Sequence, residues 1–186
     1  MKKSIIVLLS ILLTFSIAFA DKIGDVEIPS TLKAGKTTLL LNGAGFRTKF
    51  WMKIYVGALY LSEKSSDQNA IINADKPMAI KMHMISGLIT SAKMIKAVDE
   101  GFEKSTGGNV ASIAKEKEAL LALFKEEIKV GDVYDLVYIP GEGVKASKNG
   151  QSKGTIKGLA FKKALFGIWL CDSPADKYLK KSMLGK

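Results

Sequence analysis

Apolar and polar residues recur along the chain with two different periods, and the two periods occur in blocks. A period of two is clearest in MAIKMHMI (78–85), which predicts a strand with three methionines and one isoleucine on the same face. A helical period is clearest at 91–104, where apolar residues recur every three or four positions. The pattern predicts strands at 22–28, 37–41, 46–61, 78–85, 133–139, 144–147 and 152–157, and helices at 67–72, 91–104, 110–125, 159–170 and 175–184.

The blocks follow one another as strands, helices, strands and helices, without an internal repeat or a linker. Asn149-Gly150 predicts a two-residue hairpin between the last two strands. Residues 172–174, Asp-Ser-Pro, are expected to end one helix and to cap the last one. This order indicates an α+β fold in which an antiparallel sheet has its helices packed on one side.

The segment LNGAGFRTKFWMKIYVGALYL (41–61) combines glycines, one arginine and a long apolar and aromatic run. Its apolar residues fall on both faces from Ile54 onward, which predicts a central strand covered on both sides. The glycines at 43–45 permit either a β-bulge or a close approach of another backbone. The strand predicted from residue 46 is either continuous or divided by a tight turn near Thr48 and Lys49.

Arg47 is the single arginine among 28 basic residues, all the others being lysine. Lysine is sufficient for a solvated surface, whereas arginine supplies a planar, always charged group that holds an anion in fixed geometry. We therefore interpret Arg47 as the polar anchor of a mostly apolar cavity. The alternative is a structural arginine that pairs with one of the acidic residues of the chain.

The N-terminus has the features of a Sec signal peptide. A short basic region at 1–3 precedes an apolar region at 5–18, and Ala18-Phe19-Ala20 is a small-x-small cleavage site. We predict cleavage between Ala20 and Asp21, which leaves a single domain at 21–186; the alternative is an uncleaved anchor. No later stretch is long and apolar enough to cross a membrane. The signal is typical of bacteria, so we expect the periplasm as the compartment.

Composition excludes several kinds of chemistry. The formal net charge is +10, of which Lys2 and Lys3 contribute two, and the lysines are scattered as on a solvated surface. Export argues against a nucleic-acid partner. His83 and Cys171 are the only histidine and the only cysteine, so neither a zinc site nor an internal disulfide is expected. We expect His83 on the polar face of its strand, Cys171 as a buried inert thiol, no cofactor, and a monomer.

Segment 41–61 resembles the hallmark of the chalcone isomerase-like family, in which a Gly-x-Gly-x-Arg strand precedes an apolar strand that ends Gly-x-x-Tyr-Leu. The helix at 91–104, Gly131-Asp132, the Asn-Gly hairpin and the ending FGIWLCDSPADKYLKKSMLG (166–185) are similar to the bacterial, exported branch of that family. The resemblance extends over 28–186.

The resemblance implies an open-faced β-sandwich, with a large antiparallel sheet and a helical layer on one of its faces. It also implies a ligand cleft between the sheet and the helices. Some family members are isomerases that close a chalcone to a flavanone by intramolecular addition. Others are non-catalytic, and these include fatty-acid-binding proteins of plant plastids.

The resemblance also implies roles for individual residues. Arg47 matches the family arginine, which stabilises an enolate in the enzymes and holds a carboxylate in the fatty-acid binders. Tyr55 stands where the isomerases have a threonine and the fatty-acid binders a tyrosine. Thr90 and Ala97 take the places of a tyrosine and an asparagine of the isomerases, and the methyl group of Ala97 cannot form a hydrogen bond.

The residues therefore favour a non-catalytic protein that binds a hydrophobic anion such as a fatty acid through Arg47 and Tyr55. Their spacing of eight places them on one face of a continuous strand, or opposite each other across a tight hairpin. Two alternatives remain open. One is an intramolecular lyase or isomerase in which Arg47 stabilises an enolate, and the other is a structural or interaction protein in which Arg47 is paired internally.

Overall fold

The structure, a computed structural model, describes residues 20–186, so the predicted signal peptide lies outside the described residues except for Ala20. The strands are β1 (Ala20–Ile23), β2 (Val26–Pro29), β3 (Thr31–Ala34), β4 (Thr37–Lys49), β5 (Met52–Leu61), β6 (Met78–Met84), β7 (Val133–Ile139), β8 (Gly143–Lys148) and β9 (Gln151–Ile156). The α-helices are α1 (Gln68–Asn73), α2 (Ser91–Ser105), α3 (Ala114–Ala122), α4 (Leu159–Leu170) and α5 (Lys177–Met183).

Strands β3 to β9 form one seven-stranded sheet in which every strand pairs antiparallel with its neighbour in the chain. Strands β1 and β2 form a separate hairpin. The observed architecture is α+β with a large antiparallel sheet, which confirms the predicted fold class.

Each face of the sheet is covered by a different layer. All five helices contribute buried residues to one core, which contains the alternating residues 78, 80, 82 and 84 of β6. A second core on the opposite face joins the β1–β2 hairpin to the outer side of β4, β5 and β6. Strand β5 contributes to both cores, as predicted for a central strand. The helices lie on one face only, which confirms the helical layer.

The hairpin of β4 and β5 corrects the expected boundaries. Strand β4 runs without interruption through the glycines to Lys49, and Phe50-Trp51 forms the turn, two residues later than predicted. The glycine region contains a bulge at Asn42, because the pairing shifts register between Leu41 and Gly43. The two-strand interpretation of this segment is therefore correct, and the continuous strand is wrong.

Other elements differ from the prediction as well, and strand β3 was not predicted. Segment 22–28 forms two strands rather than one, since Gly24 adopts φ 62° and turns the chain. The helix predicted at 110–125 begins as a 3₁₀ turn at Val110–Ile113 and continues as α3. The last helix begins at Lys177 and is capped by Asp176, not by residues 172–174.

Helix α5 lies directly on the glycine segment of β4. A Cβ atom at Gly43 would lie 2.0 Å from the Ser182 carbonyl oxygen, so the close approach that the glycines permit is realised here. The Asn42 side chain donates to the Met183 carbonyl at 2.7 Å, near the C-terminus of α5. No helix among residues 20–186 is long and apolar enough to cross a membrane.

Candidate functional site

A cleft of about 390 Å³ opens between the β4–β5 end of the sheet and helix α2. Ile168 and Trp169 of helix α4 also line the cleft, as do Leu88 and Ile89 from the loop before α2. The apolar part of the lining consists of Phe50, Met52, Ile54, Met82, Leu88, Ile89, Met94, Ala97, Val98, Ile168, Trp169 and Ala175. A mostly apolar cleft of this size is typical of a small-molecule site.

Arg47 and Tyr55 both line this cleft, and they lie directly opposite each other on β4 and β5. They are cross-strand neighbours because of the hairpin, not because of an even spacing on one strand. Ile54 is an extra residue in β5, where the register shifts beside this pair. The two polar side chains that were expected to converge are thus brought together.

The Tyr55 hydroxyl is held deep in the cleft, with only 6% of the residue exposed. Its oxygen accepts a hydrogen bond from Trp169 Nε1 at 2.8 Å. Burial raises the pKa of Tyr55 above its usual value, and the Trp169 hydrogen bond and the nearby Arg47 only partly oppose this rise. The hydroxyl therefore keeps its proton, and among residues 20–186 no acceptor is hydrogen-bonded to it. It can donate to an anion.

Arg47 is also bonded within the protein. Its Nη1 donates to the Thr48 carbonyl oxygen and lies 3.4 Å from Asp176 Oδ2. The same Oδ2 accepts from the Thr48 backbone N–H at 2.9 Å, and Oδ1 caps α5. Arg47 thus helps to hold the N-terminus of α5 against β4, which is the internal pairing considered as the alternative.

This pairing uses only one nitrogen of the guanidinium. Arg47 carries five N–H donors, two of them on Nη1. Within the described part of the chain, Nε and Nη2 form no hydrogen bond. The three N–H donors of Nε and Nη2 thus have no partner in this part of the chain, and Arg47 lines the cleft. A structural contact and a ligand contact can therefore coexist on the same side chain.

The margin of the cleft is basic. Lys49, Lys93, Lys96 and Lys104 contribute to the lining, and Glu100 is the single acidic residue that does so. Glu100 lies 4.0 Å from Lys96 in an exposed pair. The positive charge at the margin attracts anions, and salt weakens this attraction since the groups are exposed.

A family model described as chalcone isomerase-like matches residues 20–185 of the chain. The protein belongs to the chalcone isomerase-like family. Its fold is similar to the crystal structure of a fatty-acid binding protein of Arabidopsis thaliana, with a TM-score of 0.68 and 17% sequence identity, over 86% of this chain and 92% of that chain. A comparison with curated protein sequences found no match. The resemblance inferred from segment 41–61 is confirmed.

In this chalcone isomerase-like protein, Thr90 and Ala97 stand where the resemblance implied polar side chains in the isomerases, and neither offers a polar group to the cleft. The Thr90 hydroxyl accepts from the Lys93 backbone N–H at 3.3 Å and caps α2, and Thr90 does not belong to the cleft lining. Ala97 does line the cleft and presents a methyl group there. The cleft thus has no hydrogen-bonding side chain from α2 at either position.

Two other candidate residues lie away from the cleft. His83 is half-buried on the opposite face of β6, and burial, with Lys81 nearby, lowers its pKa. Cys171 is partly exposed at the end of α4, so the expectation of a buried thiol is wrong. Neither side chain lines the cleft.

Sequence reasoning missed Trp169 and Asp176, which hold the polar pair in place. A signal for Asp176 exists, because an aspartate directly before a helix is a common N-cap. Trp169 has no such signal, since it meets Tyr55 across 114 residues of the chain. The basic margin was also missed, because its lysines are distributed over two distant segments.

Proposed function

We propose that this chalcone isomerase-like protein is non-catalytic and binds a hydrophobic anion, such as a fatty acid, in the cleft between the sheet and α2. The single observation that carries the proposal is the cross-strand pair of Arg47 and Tyr55 inside a mostly apolar cleft. The similarity to a fatty-acid binding protein supports the same ligand class.

The carboxylate of the ligand accepts hydrogen bonds from the Tyr55 hydroxyl and from the free N–H groups of Arg47. A hydrogen bond to a charged group contributes about 1.5–3 kcal/mol. The hydrocarbon tail lies along the methionines and α2, where each buried CH₂ contributes about 0.8 kcal/mol. The contacts with the carboxylate and those with the tail together select a ligand that has both an anionic group and an apolar chain.

An isomerase is the second candidate, and the geometry of α2 argues against it. Ring closure of a chalcone requires polar groups that position the substrate as well as an anion-stabilising arginine. The Thr90 hydroxyl caps the helix, and Ala97 offers no donor or acceptor.

A structural role of Arg47 is the third candidate, and the ion pair with Asp176 favours it. A scaffold would have a cleft filled by side chains, whereas this cleft is open and has an unused donor set at Arg47. We therefore assign the ligand contact to the same arginine that contacts α5.

We further propose that the protein acts in a bacterial periplasm as a monomer, after Sec export and cleavage between Ala20 and Asp21. The small-x-small sequence at 18–20 supports this site. The mass of the protein recovered from a periplasmic fraction tests it. A mature N-terminus at Asp21 is expected, and retention of residues 1–20 would refute the cleavage.

The binding test is titration of delipidated protein with palmitate by calorimetry. Arg47→Gln is expected to weaken binding by at least about tenfold, from the loss of a charge-assisted hydrogen bond. Tyr55→Phe, which removes only the hydroxyl, is expected to weaken binding less.

Asp176→Asn is the matched control, because it breaks the ion pair with Arg47 while the Thr48 carbonyl still holds Nη1. This variant is expected to retain palmitate binding and to lose some stability. Equal losses of affinity in Arg47→Gln and Asp176→Asn would show that Arg47 acts only through α5. Ring closure of an added chalcone, followed by the loss of its yellow absorbance, would overturn the non-catalytic assignment.

A further inference from the structure

The turn between β4 and β5 has an unusual conformation for its sequence. Phe50 and Trp51 both adopt positive φ, 49° and 62°. Bulky side chains are rare in this left-handed region, since Cβ approaches the carbonyl oxygen there. Both side chains nevertheless project into solvent, where 72% of Phe50 and 95% of Trp51 is exposed.

Another two-residue hairpin of the sheet has the ordinary sequence for the same conformation. Between β8 and β9, Asn149 and Gly150 adopt φ 52° and 76°. Asn-Gly tolerates positive φ at both positions, which is why it is preferred in such turns. The fold therefore does not require Phe-Trp at residues 50 and 51, and a strained, exposed aromatic pair indicates a function of its own.

The charged residues around the Phe50-Trp51 turn, called the tip below, are basic. Lys49 and Lys53 flank the turn, and each lies near an aromatic ring, at 5.8 Å from the centre of Phe50 and 4.0 Å from that of Phe46. Met52 on the same hairpin and Leu88 on the adjacent loop are exposed as well. An aromatic tip flanked by two lysines suits a bilayer interface, where aromatic rings lie at the headgroup level and lysines contact anionic lipid.

The tip also forms part of the cleft. Lys49, Phe50 and Met52 belong to its lining, as do Leu88 and Lys93 from the facing side. A bilayer in contact with the tip therefore lies at the mouth of the cleft. An apolar ligand can pass between membrane and cleft there with little exposure to water.

We propose that the Phe50-Trp51 turn docks the protein on bilayers that carry anionic phospholipids. Docking itself needs no bound ligand, and only its purpose, the loading or unloading of the cleft, rests on the proposed function. A second protein molecule is a poorer occupant. Two aromatic side chains bury about 300–500 Å² in total, whereas a stable interface buries about 800 Å² on each partner.

The test measures binding of delipidated protein to vesicles of phosphatidylglycerol and phosphatidylcholine in equal amounts, without added fatty acid. Trp51 is the reporter, because the second tryptophan, Trp169, is buried. We expect the protein to float with the vesicles, with a blue shift of tryptophan emission. Binding should weaken several-fold in high salt and be weaker on phosphatidylcholine alone.

The decisive variant is Phe50→Asn with Trp51→Gly, which installs the ordinary turn and so should fold well. It is expected to bind vesicles at least about tenfold more weakly. Leu40→Asn is the matched control, an exposed apolar residue about 30 Å away at the other end of β4. It should bind like the wild type.

Two single variants separate this proposal from the proposed function. Trp51→Gly changes no residue of the cleft lining and should weaken vesicle binding while palmitate affinity in solution is retained. Arg47→Gln should do the reverse. The docking proposal is overturned if the wild type binds no vesicles, or if the double variant binds them equally well. It is also overturned if the tip mediates dimerisation of the wild type without vesicle binding.

Discussion

The packing of α5 on β4 makes Gly43→Ala the sharpest structural test of the fold around the site. Gly43 does not have a positive φ, so alanine is allowed by the backbone and only the new methyl group matters. That methyl group would lie 2.0 Å from the Ser182 carbonyl oxygen, whereas Cβ atoms do not approach other heavy atoms more closely than 3.0 Å. The obstacle is a backbone atom of α5, which cannot rotate away, so the helix must move by about 1 Å or more.

The expected cost follows from two opposing effects. Overpacking of a well-packed contact costs about 1–3 kcal/mol. Replacing glycine by alanine stiffens the unfolded chain and returns about 0.4–1 kcal/mol. A net loss of about 1–2 kcal/mol is therefore expected, and for a chain of this size the melting temperature falls by about 2–8 °C.

Urea and thermal unfolding followed by circular dichroism measure this loss. Gly87→Ala is the matched control, since Gly87 also lacks a positive φ and its new methyl group would lie 4.0 Å from its nearest neighbour, Val130 Cγ2. The control should be as stable as the wild type or slightly more stable. Hydrogen exchange should show the loss of protection in α5. If Gly43→Ala and Gly87→Ala are equally stable, the close packing of α5 is refuted.

Three further stability predictions follow from buried or strained groups. Lys162 is fully buried and donates to the carbonyl oxygens that end α1, and burial lowers its pKa to about 8. Between about pH 8 and 10.4 the unfolded chain therefore binds more protons than the folded protein, so the wild type becomes more stable as pH rises. Urea denaturation should show the wild type gaining up to about 3 kcal/mol in free energy of unfolding over Lys162→Met through this window. Asn42→Ala removes three hydrogen bonds, to Ser65 and Met183, and should lower the free energy of unfolding by about 2–4 kcal/mol in the same assay. Phe50→Asn with Trp51→Gly should raise the melting temperature, because it removes about 1–2 kcal/mol of backbone strain at each position.

The strands and helices were predictable because their patterns are local. Strand β6 alternates in sequence as it alternates between the core and the second face, so the residues that face the core could be inferred directly. The β4–β5 turn could be anticipated only as an alternative, since Phe50-Trp51 lacks the residues that normally mark a turn. The position of this turn could not be predicted from residue type, because Phe50 and Trp51 adopt a positive φ that bulky residues rarely have.

The site was predictable only in part, for a related reason. Arg47 was identified because one arginine among lysines is visible in composition, and Tyr55 through the family resemblance. Their partners were not, because Asp176 and Trp169 are 129 and 114 residues away along the chain from the groups that they contact. Such contacts depend on the tertiary fold, and no local periodicity encodes them.

The ion pair changes how the anion-binding hypothesis must work. Asp176 neutralises much of the Arg47 charge, so attraction of an anion from a distance must come from the lysines at the margin of the cleft. At short range the fixed guanidinium and the protonated Tyr55 offer donors in a set geometry, and a preformed site loses less entropy on binding. Long-range attraction is therefore sensitive to salt, whereas selection of the head group is not. On the proposed binding mode, the Thr48 carbonyl and Asp176 together occupy Nη1, and Nε and Nη2 are left for the ligand.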